Sequence, residues 1–91
     1  MVSEAMVEIE FYGVIRLRAG VASYRANPGT LESVLRQLEQ VFPALAPAYV
    51  HAGQAKSHLL VSRAGTEILD DPATPVHAGD CLVFVSAQAG G

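Results

Sequence analysis

One cysteine, Cys81, is all the thiol this 91-residue chain contains. No disulfide can close within the chain, and a thiolate zinc site cannot be assembled from one ligand of that kind. Charge is scarce as well, at 16% of residues, and the six basic ones (Arg16, Arg18, Arg25, Arg36, Lys56, Arg63) are scattered through a chain of net charge −3. Nucleic acid and anionic membranes recruit clustered Lys and Arg, so neither is expected as a partner. No apolar run approaches membrane-spanning length, and the opening MVSEAMVEIE carries acid where a signal peptide carries base. With the lone thiol, this points to a reducing, cytoplasmic setting. Repeats and low-complexity tracts are missing too. His51, His58 and His77 lack tight ligand spacing and are assigned no metal. What the chain does have is apolar material, 51% of it, enough for the core of one small domain.

VEIEFY, residues 7–12, alternates with Val7, Ile9 and Phe11 on one face and Glu8, Glu10 and Tyr12 on the other, the pattern of a half-buried strand. After Gly13, Val14 and Leu17 are spaced for one short helical turn, and VASYRA, 21–26, reads as a second strand forming an antiparallel hairpin with the first. Asn27-Pro28-Gly29 is turn chemistry and Thr30 a helix N-cap. Leu31, Val34, Leu35, Leu38, Val41 and Phe42 then make one apolar helical stripe, which Pro43 terminates. Residues 44–56 read as a loop with a helical turn. HLLVS, 58–62, suits a central strand; Arg63-Ala64-Gly65 turns into a brief strand, TEIL; CLVFVS, 81–86, is the last strand. Asp70, Asp71 and Asp80 read as turn and cap formers rather than paired catalytic carboxylates. Strands flanking one main helix predict an α+β domain, a β-grasp with a mixed sheet of four to five strands and the helix on one face. Its central pair is the first and last strands. The expected organisation is an N-terminal extension over 1–6, the β-grasp over 7–86 and a loose tail over 87–91.

That tail raises the functional question. SAQAGG, Ser86 to Gly91, closes the sequence on two glycines, which lose more backbone freedom on ordering than any other residue. They are a poor choice for fastening an end. They are a good one where backbone must come close to something else.

A β-grasp of this length ending in Gly-Gly resembles the ubiquitin-like sulfur carriers, and above all the small subunit of molybdopterin synthase. The resemblance spans VEIEFYGVIRLRAG, the TLESVLRQLEQVFPAL helix, the HLLVS strand and TPVHAGDCLVFVSAQAGG, and the last of these is the specific part. It implies a carrier rather than an enzyme. The carboxylate of Gly91, with Gly90 before it, would be adenylated and converted to a thiocarboxylate that donates sulfur in molybdenum cofactor biosynthesis. The implied partners are an adenylating, ubiquitin-activating-like enzyme and the large catalytic subunit of molybdopterin synthase. No cofactor is implied for the chain itself, the ATP being used by the activating enzyme. The resemblance implies that partner contacts would fall on Val83 and Val85, on the face of the last strand opposite Leu82 and Phe84, and on the linker Ser86, Ala87, Gln88 and Ala89. Two alternatives stay open: the same chemistry for thiamine, cysteine or a thiolated nucleoside, and a ubiquitin-like protein modifier or binding module.

Overall fold

The structure, a computed structural model, describes residues 5–46, 48–56 and 58–86. The alternation of VEIEFY becomes strand β1 (Val7–Tyr12), with Val7, Ile9 and Phe11 buried. Helix α1 (Val14–Ala19) fills the connection to β2 (Ser23–Ala26), which pairs antiparallel with β1 from Val7↔Ala26 to Glu10↔Ser23. The residue that α1 buries is Ile15. Leu17, one of the two positions that suggested the turn, stands 79% exposed.

Thr30 caps helix α2 (Leu31–Val41) as expected, through a reciprocal pair of bonds. Its Oγ1 accepts from the Ser33 amide at 3.2 Å while Ser33 Oγ accepts from the Thr30 amide at 3.0 Å. Two more amides of the first turn are satisfied by the loop before β8 (Pro75–Val76): Leu31 N–H donates to the Thr74 carbonyl and Glu32 N–H to that of Pro72, both at 2.9 Å. Short strand β3 (Gly29–Thr30), paired with β8, brings that loop into place. A helix start leaves such donors unpaired, so this arrangement fixes where α2 begins. Leu31, Val34, Leu35 and Leu38 form its buried stripe. Of the expected stripe only Val41 departs, at 45% exposed; Phe42, the C-cap, still packs on the core, its ring edge-on to Phe11 at 5.7 Å and to Tyr24 at 5.2 Å.

The segment read as a loop contains a 3₁₀ turn over Pro43–Leu45, as anticipated, and also a tight hairpin of β4 (Val50–His51) and β5 (Gln54–Ala55). The hairpin packs beneath α2, where Gly53 N–H donates to Glu39 Oε2 at 2.6 Å. Next come β6 (Leu59–Arg63), β7 (Glu67–Ile68) and β9 (Cys81–Ser86). The main sheet runs β2-β1-β9-β6-β7, mixed, with β9 parallel to β1 and antiparallel to β6. First and last strands are thus the central pair, five strands carry one main helix on one face, and the fold is the ubiquitin-like β-grasp. The core lies between sheet and α2, with Ile9, Phe11, Ile15, Leu35, Leu38, Leu82 and Phe84 sealed from solvent.

The turns behave as their chemistry suggests. Asp71 Oδ1 accepts from the Ala73 amide at 3.0 Å, and Asp80 Oδ2 accepts from the His77 amide at 2.9 Å and from Arg63 Nη1 at 2.8 Å. Ahead of β1, the Met6 carbonyl accepts from Gly79 N–H at 3.0 Å, so the sheet's supports begin one residue before Val7. No helix among the described residues is long and apolar enough to cross a membrane.

Candidate functional site: the open sheet face and the root of the tail

With α2 on one side of the sheet, alternation along β9 sends Leu82 and Phe84 into the core and leaves Cys81, Val83 and Val85 half-buried on the open side. The ladder then decides their neighbours. Val85 lies in register with Tyr12 of β1 and Leu60 of β6, Val83 with Glu10 and Ser62, and Ser62 in turn with Ile68 of β7. The result is an apolar strip across four strands, Tyr12, Val83, Val85, Leu60 and Ile68, in which Tyr12 and Leu60 are each 46% and Ile68 56% exposed. An exposed apolar set that is contiguous rather than scattered marks a contact surface. The pair Val83 and Val85 had been singled out from sequence. Leu60 and Ile68 had not, although the contrast of Leu59 and Val61 inward with Leu60 outward was there to be read once the strand was phased.

At one end of the strip the face turns acidic. Glu8 and Glu10 stand beside Cys81, and Arg25 Nε lies 3.4 Å from Glu8 Oε1. Tyr12 donates its hydroxyl proton to Glu10 Oε1 at 2.9 Å, and that bond, with the carboxylate's charge, raises the phenol pKa. The Cys81 thiol is also pushed up, first by burial and then by Glu10 and Glu8. A nucleophilic or sulfur-carrying thiol needs the opposite environment, one that favours the thiolate. Cys81 is a small half-buried side chain in a strand.

The other end of β9 is the root of the tail. Ser86 is buried, and its Oγ accepts the amide proton of Ile15 at 3.1 Å, one of the free donors at the start of α1. Gly13 makes this approach feasible: its φ is +86°, and a Cβ there would sit 2.6 Å from Ser86 Oγ. Ser86, grouped from sequence with the partner-contacting linker, therefore spends its side chain inside the fold, fixing where the chain leaves β9. Ala87, Gln88, Ala89, Gly90 and Gly91 lie outside the described residues. Among the described residues no group of three or more His, Cys, Asp or Glu comes together to hold a metal ion; the His58 ring lies against Tyr49, tilted by 58° with ring centres 5.0 Å apart.

No family model matches the chain. Comparison with curated proteins finds Small archaeal modifier protein 3 of Haloferax volcanii, 32% identical over 90 residues that span 93% of this chain and 98% of that protein. Among solved structures, the crystal structure of SAMP1 from Haloferax volcanii superposes with a TM-score of 0.80 at 23% identity, covering 94% of this chain and 99% of that one. The complex of subunits 1 and 2 of molybdopterin-converting factor from Helicobacter pylori 26695 includes a chain matched with a TM-score of 0.59 at 21% identity, covering 94% and 99%. The two structural likenesses speak to the fold. The identity to the modifier protein, over nearly the full length of both chains, goes further: this chain belongs to the ubiquitin-like sulfur carrier family that includes the small archaeal modifier proteins.

Proposed function

We propose that this protein is a sulfur carrier whose C-terminal carboxylate, on Gly91, is activated and thiolated by partner enzymes, and that the sulfur is destined for the molybdenum cofactor. A carboxylate is a poor acyl donor. Attack of its oxygen on the α-phosphorus of ATP, held by an adenylating enzyme, forms an acyl-adenylate and releases pyrophosphate. A sulfide-equivalent donor then expels AMP, and the carboxylate becomes a thiocarboxylate. The carrier supplies no acid, base or nucleophile. Its tasks are to present the end and to be recognised.

The observation that carries this reading is the arrangement at β9. One strand pairs on both sides in the middle of the sheet, contributes Val83 and Val85 to the open strip, and is pinned at Ser86 just before the tail. The open strip and the point where the chain leaves the sheet are thereby held in one relation. Gly90 and Gly91 suit passage of the end through a narrow channel, because without a Cβ the backbone can approach a nucleotide closely. The likeness to a subunit of a molybdopterin-converting factor complex supports the choice of acceptor and of a large catalytic subunit as second partner. The test is co-expression with the adenylating enzyme and a sulfur donor from the same organism, followed by intact mass. The chain should gain the difference between sulfur and oxygen, at its C-terminus. Unmodified protein throughout would refute the carrier reading.

The match to a modifier protein favours a second reading, in which the activated carboxylate is passed to amines instead. It predicts isopeptide bonds from Gly91 to lysines of other proteins, detectable by mass spectrometry of whole-cell digests.

A further inference from the structure

Three of the five arginines are engaged: Arg25 with Glu8, Arg36 with Glu32 and Arg63 with Asp80. The other two, Arg16 and Arg18, pair with no carboxylate among the described residues, and both are exposed. They bracket Leu17, which at 79% is the most exposed of the large hydrophobic side chains. Leu17 does not stand alone. With Val21, itself 41% exposed, and Gly20 and Ala22 it lines a shallow hollow of about 240 Å³, with Arg16 on the rim. Gly20 closes α1 in the left-handed conformation, φ +81°, and no atom lies within 4 Å of where its Cβ would be, so the floor of the hollow is bare backbone. This helix is also the one whose first turn holds Ser86 at the root of the tail. The hollow and the contact that holds Ser86 thus lie at opposite ends of one six-residue helix.

We propose that this end of α1 is a second docking site, separate from the open sheet face, for the adenylating enzyme that takes up the tail, and that it receives an apolar side chain ringed by carboxylates. Charge selects the chemistry. On a chain of net charge −3, two exposed cations on α1 with no carboxylate partner among the described residues favour an acidic surface opposite, and the exposed side chains of Leu17 and Val21 at the hollow favour an apolar contact between them. The position suits an enzyme that takes up the tail, since the same helix holds Ser86 at the tail's root. The proposal rests on the carrier reading.

The test is ATP–pyrophosphate exchange by the adenylating enzyme of the same organism, with carrier concentration varied. Leu17→Ser and the double variant Arg16→Glu/Arg18→Glu should each raise KM about tenfold, as loss of a central apolar anchor or reversal of matched charges does, with kcat unchanged. Melting temperatures should stay within about 2 °C of the parent, because these side chains are exposed. Raising salt from about 0.05 to 0.5 M should raise KM for the parent but not for the charge-reversed chain. Lys56→Glu, a reversal remote from α1 in sequence, serves as the control and should leave KM alone. Parental KM in both α1 variants, or an equal rise with Lys56→Glu, overturns the docking site while the exchange itself upholds the carrier reading. No exchange with the parent chain overturns both. A parent dimer in sedimentation that Leu17→Ser dissolves would assign the hollow to a second copy and overturn the proposal.

Discussion

Ser86 and Gly13 hold each other in place, and the chemistry of both is visible in the outcome. A hydroxyl at 86 satisfies the Ile15 amide, and only a residue without a Cβ leaves room for it at 13. Gly13→Ala is expected to cost about 2–4 kcal/mol, from a positive φ that side chains resist and from the forced contact. Adding Ser86→Ala should return part of that loss, since it removes the atom in the way. Urea denaturation of the single and double variants measures both; a single variant as stable as the parent would contradict the packing. Cys81 is the other residue whose surroundings make a prediction. Burial and two nearby glutamates keep its thiol protonated to higher pH than usual. Its alkylation rate should therefore begin to climb at a higher pH than that of a free thiol, and Glu10→Gln should shift the profile back down. Because the folded pKa is the raised one, this thiol favours folding below the ordinary thiol pKa, and the contribution fades as pH rises through the folded value.

Helix α2 shows how far a periodic pattern can be trusted. Leu38 is wholly buried at its centre, and Leu38→Ala should cost about 2–5 kcal/mol through a cavity under the sheet. From the helical wheel alone, Glu39 is a free surface residue and its replacement close to neutral. The structure corrects this, because its carboxylate accepts from the buried Gly53 amide. Glu39→Ala should instead cost about 1–2 kcal/mol by stranding that donor. Thermal melts of the two variants rank the effects, and a neutral Glu39→Ala would mean the bond contributes nothing. The β4–β5 hairpin that presents Gly53 was the element hidden from sequence, and the reason is local. Its turn, Ala52-Gly53, has φ of +54° and +76°, and Ala64-Gly65 before β7 repeats the pattern at +55° and +76°. Such turns are ordinarily announced by Asn-Gly or Asp-Gly, and alanine gives no signal for a left-handed position. By contrast β1, β9 and the start of α2 carry their own instructions, a clean alternation in the first, an unbroken apolar run in the second and an N-cap in the third. They were legible to the residue. The ends of α2 and α1 were not, since packing by Phe42 and Ile15, rather than spacing, decides which side chains go inward.

Over the whole molecule the sheet has one sealed face and one open face. Phe84 and Val85 are neighbours in sequence, yet one is sealed in the core and the other shares the open strip with Tyr12 and Leu60. Phe84→Ala should lower stability by about 3–5 kcal/mol. Val85→Asp should change it by no more than about 1 kcal/mol while weakening partner binding at least tenfold, because an unpaired charge is poorly tolerated inside an interface. A melting curve and a titration with the purified partner separate the two, and the opposite pattern would mean that the faces are reversed. Alternation pairs Val83 with Val85 on one face, and the family resemblance chooses that face as the open one. The strip's other members come from strands that only the ladder brings alongside.

The parallel ladder between β1 and β9 has a consequence for synthesis. Glu8 through Tyr12 must wait for Cys81 through Val85 before the centre of the sheet exists, and β9 leaves the ribosome after every other described element. The domain cannot close on the nascent chain, however early its helices form, since the strand that joins the β1–β2 half to the β6–β7 half is missing until then. A chain released early, short of β9, lacks both halves' common partner and would be left to proteases as an open sheet edge. Folding is thus tied to synthesis of the last described strand: only a polypeptide translated through Ser86 can complete the sheet and display its open apolar strip.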